Sequence, residues 1–244
     1  MIDLHAHILP GLDHGPGGWD EALEMCRIAV ADGITTIAAT PHVSEVFPNS
    51  SQRIEEAVSE LRVRLEDAAV PLTIVVGGDY HVRPDLSPRN VLTLGGNGRY
   101  FLLEFPYQVL PPRADAFVKT LLDRGLTPIV THPERTASLQ RDWRRLEPLV
   151  KAGALVQVTA GSLLGEFGPA ATAAARRFLK QGWVHLLASD AHWTHERLPR
   201  LAAGRDAAAR VVGEDAARAL VGVNPGAILR GDAWGGSQFL SPAI

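Results

Sequence analysis

The sequence predicts an α/β fold built from parallel strands and covering helices. Strand-like apolar runs alternate with helical stretches along the chain, and several of these stretches stop just before a glycine. A strand followed by a helix returns the chain to a neighbouring parallel position, so repeated units imply a closed or nearly closed barrel. A length of 244 residues with 46% hydrophobic residues suits one such domain. We therefore expect residues 1–244 to form a single domain.

The strands and helices can be placed in order along the chain. Seven strands are predicted, and they are Ile2–His5, Thr35–Ala39, Leu72–Val76, Tyr100–Leu103, Pro128–Thr131, Leu155–Thr159 and Val184–Ala188. Helices are predicted over Asp20–Ala31, Gln52–Ala68, Pro112–Arg124, Asp142–Ala152 and Ala170–Gln181, with further helices within 198–229. The short, glycine-rich segment 86–97 is expected to be a loop with one helical turn.

Composition excludes several classes of protein. The net charge of −3 lacks the basic surplus of a nucleic-acid-binding face. No membrane insertion is expected, because no apolar run approaches the ~18–20 residues that a membrane span needs. The N-terminus runs directly into a strand, without the pattern of a signal segment. The single cysteine, Cys26, excludes an internal disulfide and fits a reducing compartment, so we expect a cytoplasmic protein.

Histidines and acidic residues collect where the predicted strands end. In α/β barrels, the side chains at the carboxyl ends of the strands meet on one face and form the active site. Imidazoles and carboxylates that converge there predict a polynuclear metal site, in which carboxylates can bridge two ions. Mixed nitrogen and oxygen ligands suit manganese, iron or zinc. The candidate ligands are His5, His7, His14, His42, Asp79, Glu104, His132, Asp190 and His192.

Two arginines follow candidate ligands on loops at the same predicted face. Arg135 ends the segment THPER, and Arg197 ends the segment HWTHER. The arginine fork matches phosphate oxygens bidentately and stabilises the charge of phosphoryl transfer. The alternative for either arginine is a structural salt bridge, for example with Glu134 or Glu196. Phosphate binding is the favoured interpretation for the pair.

Three other histidines and the cysteine are weaker candidates. His81 and His195 could act as a general acid, as could a metal-bound water, although an exposed loop histidine is the simpler interpretation of each. His185 lies inside an apolar strand, and we expect it to be packed or hydrogen-bonded beneath the barrel. Cys26 lies on the apolar stripe of its predicted helix and lacks the phosphate-binding loop that a cysteine nucleophile needs. We expect Cys26 to be a core residue.

Motifs spread over almost the whole chain resemble those of a known family. They are MIDLHAHILPGLDHGP, ATPH, the two glycines before Asp79, LLEF, THPER, QVTAGSLLGEFG, ASDAH and VNPGAIL. Over residues 1–230, their order and spacing resemble the bacterial CpsB/CapC-type protein tyrosine phosphatases of the polymerase-and-histidinol-phosphatase (PHP) superfamily. The resemblance implies a PHP-type distorted (β/α)7 barrel with its active site at the C-terminal ends of the strands. It also implies two or three divalent metal ions, with manganese favoured over iron or zinc, and hydrolysis of phosphotyrosine. The expected partner is an autophosphorylating bacterial tyrosine kinase that regulates capsular or exopolysaccharide synthesis.

The resemblance also assigns roles to the candidate residues. It implies a first metal held by His5, His7, Asp79 and Asp190, a second held by Asp79, Glu104 and His132, and a third held by His14, His42 and His192. Arg135 and Arg197 would bind phosphate while a hydroxide bridging the ions attacks phosphorus in line. Two positions depart from the family pattern, because His14 replaces the usual aspartate and Asp79 replaces the usual glutamate. Since His14 removes an anion, the third site is expected to bind its ion more weakly or to prefer zinc or iron.

Two other functions are kept as alternatives. A histidinol-phosphate or other small-phosphomonoester phosphatase of the same superfamily would use the same chemistry, although short loops favour an open cleft for a peptide. A non-catalytic, metal-stabilised regulator that docks a kinase would not need two phosphate-binding arginines. A nuclease is disfavoured by the acidic charge balance.

Overall fold

Parallel strands form the centre of the protein within residues 1–234, which are the residues that the computed structural model describes. The strands are β1 (Ile2–Ala6), β2 (Thr36–Ala39), β3 (His42–Val43), β4 (Thr73–Val76), β5 (Asp79–His81), β6 (Tyr100–Glu104), β7 (Thr127–Thr131), β8 (Leu155–Thr159) and β9 (Leu186–Ala188). One sheet has the order β1–β2–β4, and the other has the order β3–β5–β6–β7–β8–β9. Every pairing between these strands is parallel, which confirms the predicted α/β class.

Helices connect the strands and cover the sheets. They are α1 (Trp19–Ala31), α2 (Ser51–Asp67), α3 (Ala114–Asp123), α4 (Ala137–Arg141), α5 (Glu147–Ala152), α6 (Ala160–Leu164), α7 (Gly168–Lys180), α8 (Ala202–Val212), α9 (Glu214–Leu220) and α10 (Val223–Leu229). Single 3-10 turns lie at Leu94–Gly96, Pro133–Arg135 and Trp143–Leu146. The first of these confirms the helical turn predicted within 86–97.

Helix α2 shows how the local sequence produces these elements. The Ser50 side chain accepts a hydrogen bond from the Arg53 N–H, which satisfies a backbone donor at the start of the helix. The apolar residues of α2 recur at three- and four-residue spacing, so they form one stripe that packs on the core. The buried members of that stripe are Ile54, Val58, Leu61 and Leu65.

Some predicted helices differ from the structure. The segment predicted as one helix over 142–152 divides into a 3-10 turn and α5, because Pro148 has no N–H and fits only the first turn of a helix. Helix α3 begins at Ala114 and not at Pro112, because Arg113 has a left-handed backbone with a φ of 60°. Helices α4 and α6 have 5 residues each, too few to show a helical period in the sequence.

Strands β3 and β5 are additional to the seven predicted strands. Strand β2 breaks before Pro41, which cannot donate a hydrogen bond to a sheet. Strand β4 breaks at Gly77, where a Cβ atom would lie 2.9 Å from the Leu94 side chain. The chain then resumes as β3 and β5, in which His42 pairs with Asp79. These two residues were predicted to follow strand ends, and they lie instead inside short strands.

Apolar side chains pack on both sides of the strands. A large cluster lies between the strands and the helices and includes Cys26, which is fully buried as predicted. A smaller cluster draws Leu4 from β1, Leu102 from β6 and Leu186 from β9, together with residues of other strands. Strands β6, β7 and β8 are buried at every position, as parallel strands are when both faces are covered.

A parallel bridge joins the start of the first sheet to the end of the second. Ala6 pairs with Ala191, which lies just beyond β9. The His7 N–H donates to the Ala191 carbonyl at 2.8 Å, and the Asp190 N–H donates to the His5 carbonyl at 2.8 Å. The junction therefore places His5 and His7 beside Asp190, which is 185 residues further along the chain than His5.

Two further predictions concern regions away from this junction. His185 is buried, and its Nδ1 accepts a hydrogen bond from the Val156 N–H at 2.9 Å, which confirms its packed position. Within residues 1–234, no helix is long and apolar enough to cross a membrane. The part of the single-domain prediction that covers 235–244 lies outside the described residues.

Candidate metal centre

The predicted metal ligands converge on one site. Eight of them are buried, and they are His5, His7, His42, Asp79, Glu104, His132, Asp190 and His192. Their nitrogen and oxygen atoms form overlapping groups in which each atom lies within 4.8 Å of the others. The groups are His5–His7–Asp190, His5–Asp79–His132, His7–His42–His192 and His42–His81–Glu104.

His14 lies at the exposed edge of this cluster. Its ring centroid is 4.6 Å from that of His192 and 4.9 Å from that of His42. It belongs to none of the four ligand groups among the described residues, and His7 takes part in the group that contains His42 and His192. The structure therefore brings His14 beside the predicted third site without placing it among the converging ligand atoms.

His5 and His7 face each other across the end of β1. His5 and His7 are two residues apart, so their side chains point to the same side of the strand, and the register of β1 against β2 shifts between Asp3 and Ala6. The two Nε2 atoms are 3.1 Å apart, and Asp190 Oδ1 lies 3.4 Å from each of them. Two imidazole nitrogens and a carboxylate oxygen at these separations suit a single divalent cation.

Hydrogen bonds to the far side of each ring fix these orientations. His5 Nδ1 lies 3.0 Å from Gln157 Oε1, and His7 Nδ1 lies 2.6 Å from Asp13 Oδ2. His192 Nδ1 lies 2.9 Å from a backbone carbonyl oxygen. Because each Nδ1 has a partner, each Nε2 is directed into the cluster, which is the usual arrangement around metal-binding histidines.

No role is predicted from the sequence for Gln157 or for Asp13. Gln157 is fully buried in the otherwise apolar strand β8, and a buried amide in such a strand is the signal that could have identified it. Asp13 also accepts hydrogen bonds from the backbone N–H groups of Gly15 and His42. A Cβ on Gly15 would lie 2.6 Å from the His7 carbonyl oxygen, so the turn that carries Asp13 requires glycine there.

Some buried polar atoms of the centre lack a hydrogen-bond partner within the protein. Asp79 is fully buried, and neither of its carboxylate oxygens has a hydrogen-bond partner. Burial, followed by repulsion from Glu104, raises the pKa of Asp79 to about 7. His192 Nε2 is likewise buried without a partner. Buried polar atoms in native proteins are almost always paired, so these atoms fit ligands of a bound cation.

Three residues of the centre adopt a left-handed backbone. The φ angles are 34° for His132, 51° for Asp190 and 48° for Arg197. For a residue with a Cβ atom this conformation costs about 1–2 kcal/mol. Such strain persists where the surrounding structure fixes the backbone, and it concentrates at functional sites.

Arg135 and Arg197 converge on the same carboxylate. Arg135 Nη1 lies 2.5 Å from Asp190 Oδ2, and Arg197 Nη2 forms an ion pair with the same oxygen. Asp190 thus directs one oxygen to the histidine pair and the other to the arginines. Within residues 1–234, neither arginine forms the salt bridge with Glu134 or Glu196 that the sequence left open. Asp190 was not identified from the sequence as the partner of the arginines, because Asp190 follows β9 whereas Arg135 follows β7.

A cleft of about 350 Å³ opens above the centre. Arg135, Arg197 and several of the candidate ligands line its floor, and Val46, Phe47 and Tyr107 form its apolar walls. His81 lines the cleft with its Nε2 at 2.5 Å from Glu104 Oε2, whereas His195 is not among the lining residues. Cys26 lies in the core, where burial raises the pKa of its thiol to about 12.

Comparison with known proteins places this site in a family. A model of the family described as "Capsular polysaccharide synthesis, CpsB/CapC" matches residues 1–230. The chain belongs to the CpsB/CapC family. The resemblance predicted from the motifs is therefore confirmed over the part of the chain that carries the centre.

Relatives in this family are named as tyrosine-protein phosphatases. Tyrosine-protein phosphatase YwqE of Bacillus subtilis (strain 168) is 38% identical over 197 residues, which are 79% of this chain and 77% of YwqE. Tyrosine-protein phosphatase CpsB of Streptococcus pneumoniae is 28% identical over 239 residues, which are 94% of this chain and 98% of CpsB. CpsB/CapC relatives are thus matched over most of their own length.

Solved structures agree with this assignment. A chain from the crystal structures of YwqE from Bacillus subtilis and CpsB from Streptococcus pneumoniae, described as unique metal-dependent tyrosine phosphatases, superposes with a TM-score of 0.89. It is 33% identical, and the match covers 96% of each chain. A β-aspartyl dipeptidase from Fervidobacterium islandicum AW-1 has a TM-score of 0.55 and 15% identity over 93% of this chain and 72% of its own. At that identity the likeness concerns the fold alone.

Proposed function

We propose that this chain is a metal-dependent protein tyrosine phosphatase that hydrolyses phosphotyrosine. The observation that supports this most strongly is the convergence of Arg135 and Arg197 on Asp190, at the floor of a cleft lined by candidate metal ligands. Two phosphate-binding forks beside a polynuclear centre suit hydrolysis of a phosphate ester. The named activity of the CpsB/CapC relatives agrees with this chemistry.

The converging ligand atoms support a centre of two or three divalent ions. Following the family resemblance, we assign the first ion to His5, His7, Asp79 and Asp190, the second to Asp79, Glu104 and His132, and the third to His42 and His192 with His14 at the edge. When bound, the ions would provide an activated water and offset the charge of the phosphoryl oxygens. The mixture of imidazole and carboxylate suits manganese, with iron and zinc as the other candidates.

The protein's own groups would hold the substrate in place. The guanidinium groups of Arg135 and Arg197 would bind the phosphoryl oxygens, because each presents planar donors that match two oxygens. Asp190 orients both arginines, so its position links phosphate binding to the histidine pair. Phenol has a pKa of about 10, so the leaving group needs less protonation than an alkyl alkoxide would. Of the two histidines considered as general acids, His81 is the better placed, because it lines the cleft.

The walls of the cleft favour an aromatic phosphate ester. Phe47 and Tyr107 line the cleft, and Val46 is 78% exposed at its rim. An apolar wall favours a phenyl ring over the charged amine and imidazole of histidinol phosphate. We therefore prefer phosphotyrosine on a protein as the substrate. A bacterial tyrosine autokinase that controls capsular or exopolysaccharide synthesis is the proposed partner, in line with the description of the family.

A comparison of substrates and metal states tests this function. Manganese-loaded protein should hydrolyse a phosphotyrosine peptide much faster than a phosphoserine peptide or histidinol phosphate. Chelator should abolish the activity, and added Mn²⁺ should restore it. Faster turnover of histidinol phosphate would favour a small-molecule phosphatase. Absence of turnover with every metal, together with binding of a phosphorylated kinase, would favour a regulator without catalytic activity.

Alanine variants of Arg135 and Arg197 test whether these two arginines bind the phosphate of the substrate. Arg135→Ala and Arg197→Ala should each lower kcat/KM by about 10²–10³-fold, the usual effect of removing one donor to developing charge. Metal content should stay unchanged in both variants. Arg218→Ala provides a control, because Arg218 is exposed and pairs with Glu214 and Asp215 on its own helix. Loss of bound metal in the cleft variants would show that these arginines support the centre instead of the substrate.

The arrangement of the strands also supports the barrel fold that the family resemblance implies. We propose that the two sheets close into a PHP-type distorted (β/α)7 barrel, with β3 and β5 as continuations of β2 and β4. The bridge between Ala6 and Ala191 and the apolar cluster shared by both sheets support closure. A single domain over the whole chain and a cytoplasmic location are further proposals, the latter resting on the lone reduced cysteine.

A further inference from the structure

We infer that Phe167 is a positioning residue that holds Arg135 and Arg197 in their phosphate-binding geometry. The inference rests on the role proposed above for the two arginines. It adds a residue that is neither among the lining residues of the cleft nor a member of the candidate ligand groups. Phe167 would therefore act through the arginines and would not contact the substrate itself.

Arg135 packs against two aromatic rings. Its Cζ atom lies 4.2 Å from the centroid of Phe167 and 5.0 Å from the centroid of Tyr107. Its Nη2 donates to the Tyr107 hydroxyl at 3.1 Å, while Nη1 contacts Asp190. A guanidinium at such distances from a ring face is attracted by the negative potential of that face. The ring of Phe167 makes the shorter of the two contacts.

The same phenylalanine also contacts the second arginine. The Cζ atom of Arg197 lies 5.9 Å from the centroid of Phe167. Two positive groups that converge on one carboxylate oxygen repel each other, and that carboxylate is also directed at the histidine pair. Phe167 offers both groups a negative ring face without adding a charge that would compete with phosphate. One ring thus serves both members of the pair.

The segment that carries Phe167 is fastened to the turn that carries Arg135. Glu134, the neighbour of Arg135, accepts hydrogen bonds from the Ser162 hydroxyl at 2.7 Å and from the Thr159 N–H at 2.9 Å. A Cβ on Gly161 would overlap Glu166 Oε2 and lie 3.3 Å from the ring of Phe167, so glycine at this position lets the segment that carries Glu166 and Phe167 approach closely. These contacts fix the ring relative to Arg135.

Core packing does not account for Phe167. Its side chain is half-buried, and it belongs to neither apolar cluster within residues 1–234. The close partners of Phe167 are two guanidinium groups, and contact with those groups explains its position better than core packing does. Its loss should weaken phosphate binding while leaving the core intact.

Binding of inorganic phosphate to the manganese-loaded protein tests this inference. Phe167→Leu removes the ring face and should weaken phosphate binding, measured by calorimetry, by about 3- to 30-fold, as expected for a cation–π contact. Phe167→Tyr keeps the face and should bind within about 2-fold of the wild type. With a phosphotyrosine peptide, the leucine variant should show a raised KM, and metal content should be unchanged. Phe167→Met, which is also apolar and has no ring, serves if the leucine variant fails to fold.

Two controls separate positioning from a general structural effect. Phe117→Leu changes a partly buried phenylalanine that packs on the large cluster, and it should leave phosphate affinity unchanged. In a protein that carries both Arg135→Ala and Arg197→Ala, Phe167→Leu should have no further effect on phosphate affinity. Wild-type affinity in Phe167→Leu, or an equal loss in the background without the arginines, would overturn the inference. Phosphate binding is measured without turnover, so failure of the proposed phosphatase activity would be recognised separately.

Discussion

The substitution Asp79→Asn would remove a charge from the metal centre while keeping the shape of the side chain. Asp79 is fully buried, and its carboxylate oxygens have no hydrogen-bond partner. The nearest basic atoms to its Oδ2 are His42 Nδ1 at 3.3 Å and His5 Nε2 at 3.6 Å. An unsatisfied buried polar group costs about 1–3 kcal/mol, and a charged group costs more. Asparagine keeps a polar group at this position but removes the charge, so after treatment with chelator Asp79→Asn should raise the free energy of unfolding by about 1 kcal/mol or more.

Metal should stabilise the wild type more than it stabilises the variant. A cation that binds only the folded protein stabilises it by about 2.7 kcal/mol when its concentration is 100 times Kd. The neutral amide of asparagine is a weaker ligand than a carboxylate, and a 10- to 100-fold weaker Kd removes about 1.3–2.3 kcal/mol of that gain. The variant should thus gain much less stability from Mn²⁺ than the wild type does.

Urea unfolding followed by circular dichroism, with EDTA and then with excess Mn²⁺, measures both effects. Asp206→Asn provides a matched control, because Asp206 is exposed and pairs with Arg205 at the surface. That change should alter stability by less than about 0.5 kcal/mol in either condition. If Asp79→Asn instead lowers stability by the same amount with and without metal, the protein itself satisfies this carboxylate and the reasoning fails.

Four further outcomes are expected. Cys26→Ser should retain full phosphatase activity, and an inactive but folded variant would contradict the metal-dependent chemistry. The native thiol should resist iodoacetamide at pH 8, because burial raises the pKa of Cys26 to about 12. Gln157→Leu should weaken metal affinity about 10- to 100-fold by releasing the His5 ring, as measured by metal competition, whereas unchanged affinity would exclude an orienting role. His14→Asp should shift metal preference towards Mn²⁺ in metal analysis, and an unchanged preference would show that His14 is not a ligand. Burial lowers the pKa of His185 to about 4, so below pH 6.5 the unfolded chain binds a proton at this residue more readily than the folded protein does. The free energy of unfolding should therefore fall by about 2–3 kcal/mol between pH 7.5 and 4.5 because of His185. His185→Asn should remove that part of the pH dependence in urea unfolding.

The sequence predicts which imidazoles and carboxylates converge better than it predicts the strands that carry them. Imidazoles and carboxylates at successive strand ends can be recognised locally, because the carboxyl ends of parallel strands must share one face. The breaks before β3 and β5 were not predictable in the same way. They depend on the contact of Gly77 with Leu94 and on the position of Pro41 in a sheet, which only the folded chain defines. His42 and Asp79 nevertheless reach the centre, because the chain continues in the same direction after each break.

The residues that orient the site are harder to predict than the ligands. Gln157 is 152 residues from His5, and no local pattern links a strand amide to a distant imidazole. The pairing of Arg135 and Arg197 with Asp190 was likewise missed, because the adjacent glutamates were the simpler partners in sequence. The contact of Phe167 with both arginines arises where three separate segments of the chain meet. Such roles depend on tertiary contacts between segments that are far apart in the chain.

Anomalous diffraction from crystals grown with Mn²⁺ tests the central claim most directly. Anomalous density is expected between the Nε2 atoms of His5 and His7 and the carboxylate of Asp190, with a second peak beside Asp79 and Glu104. Both peaks should disappear after chelation, together with phosphotyrosine hydrolysis by the same preparation. Hydrolysis by crystals or solutions whose density shows no ion among these side chains would contradict the account.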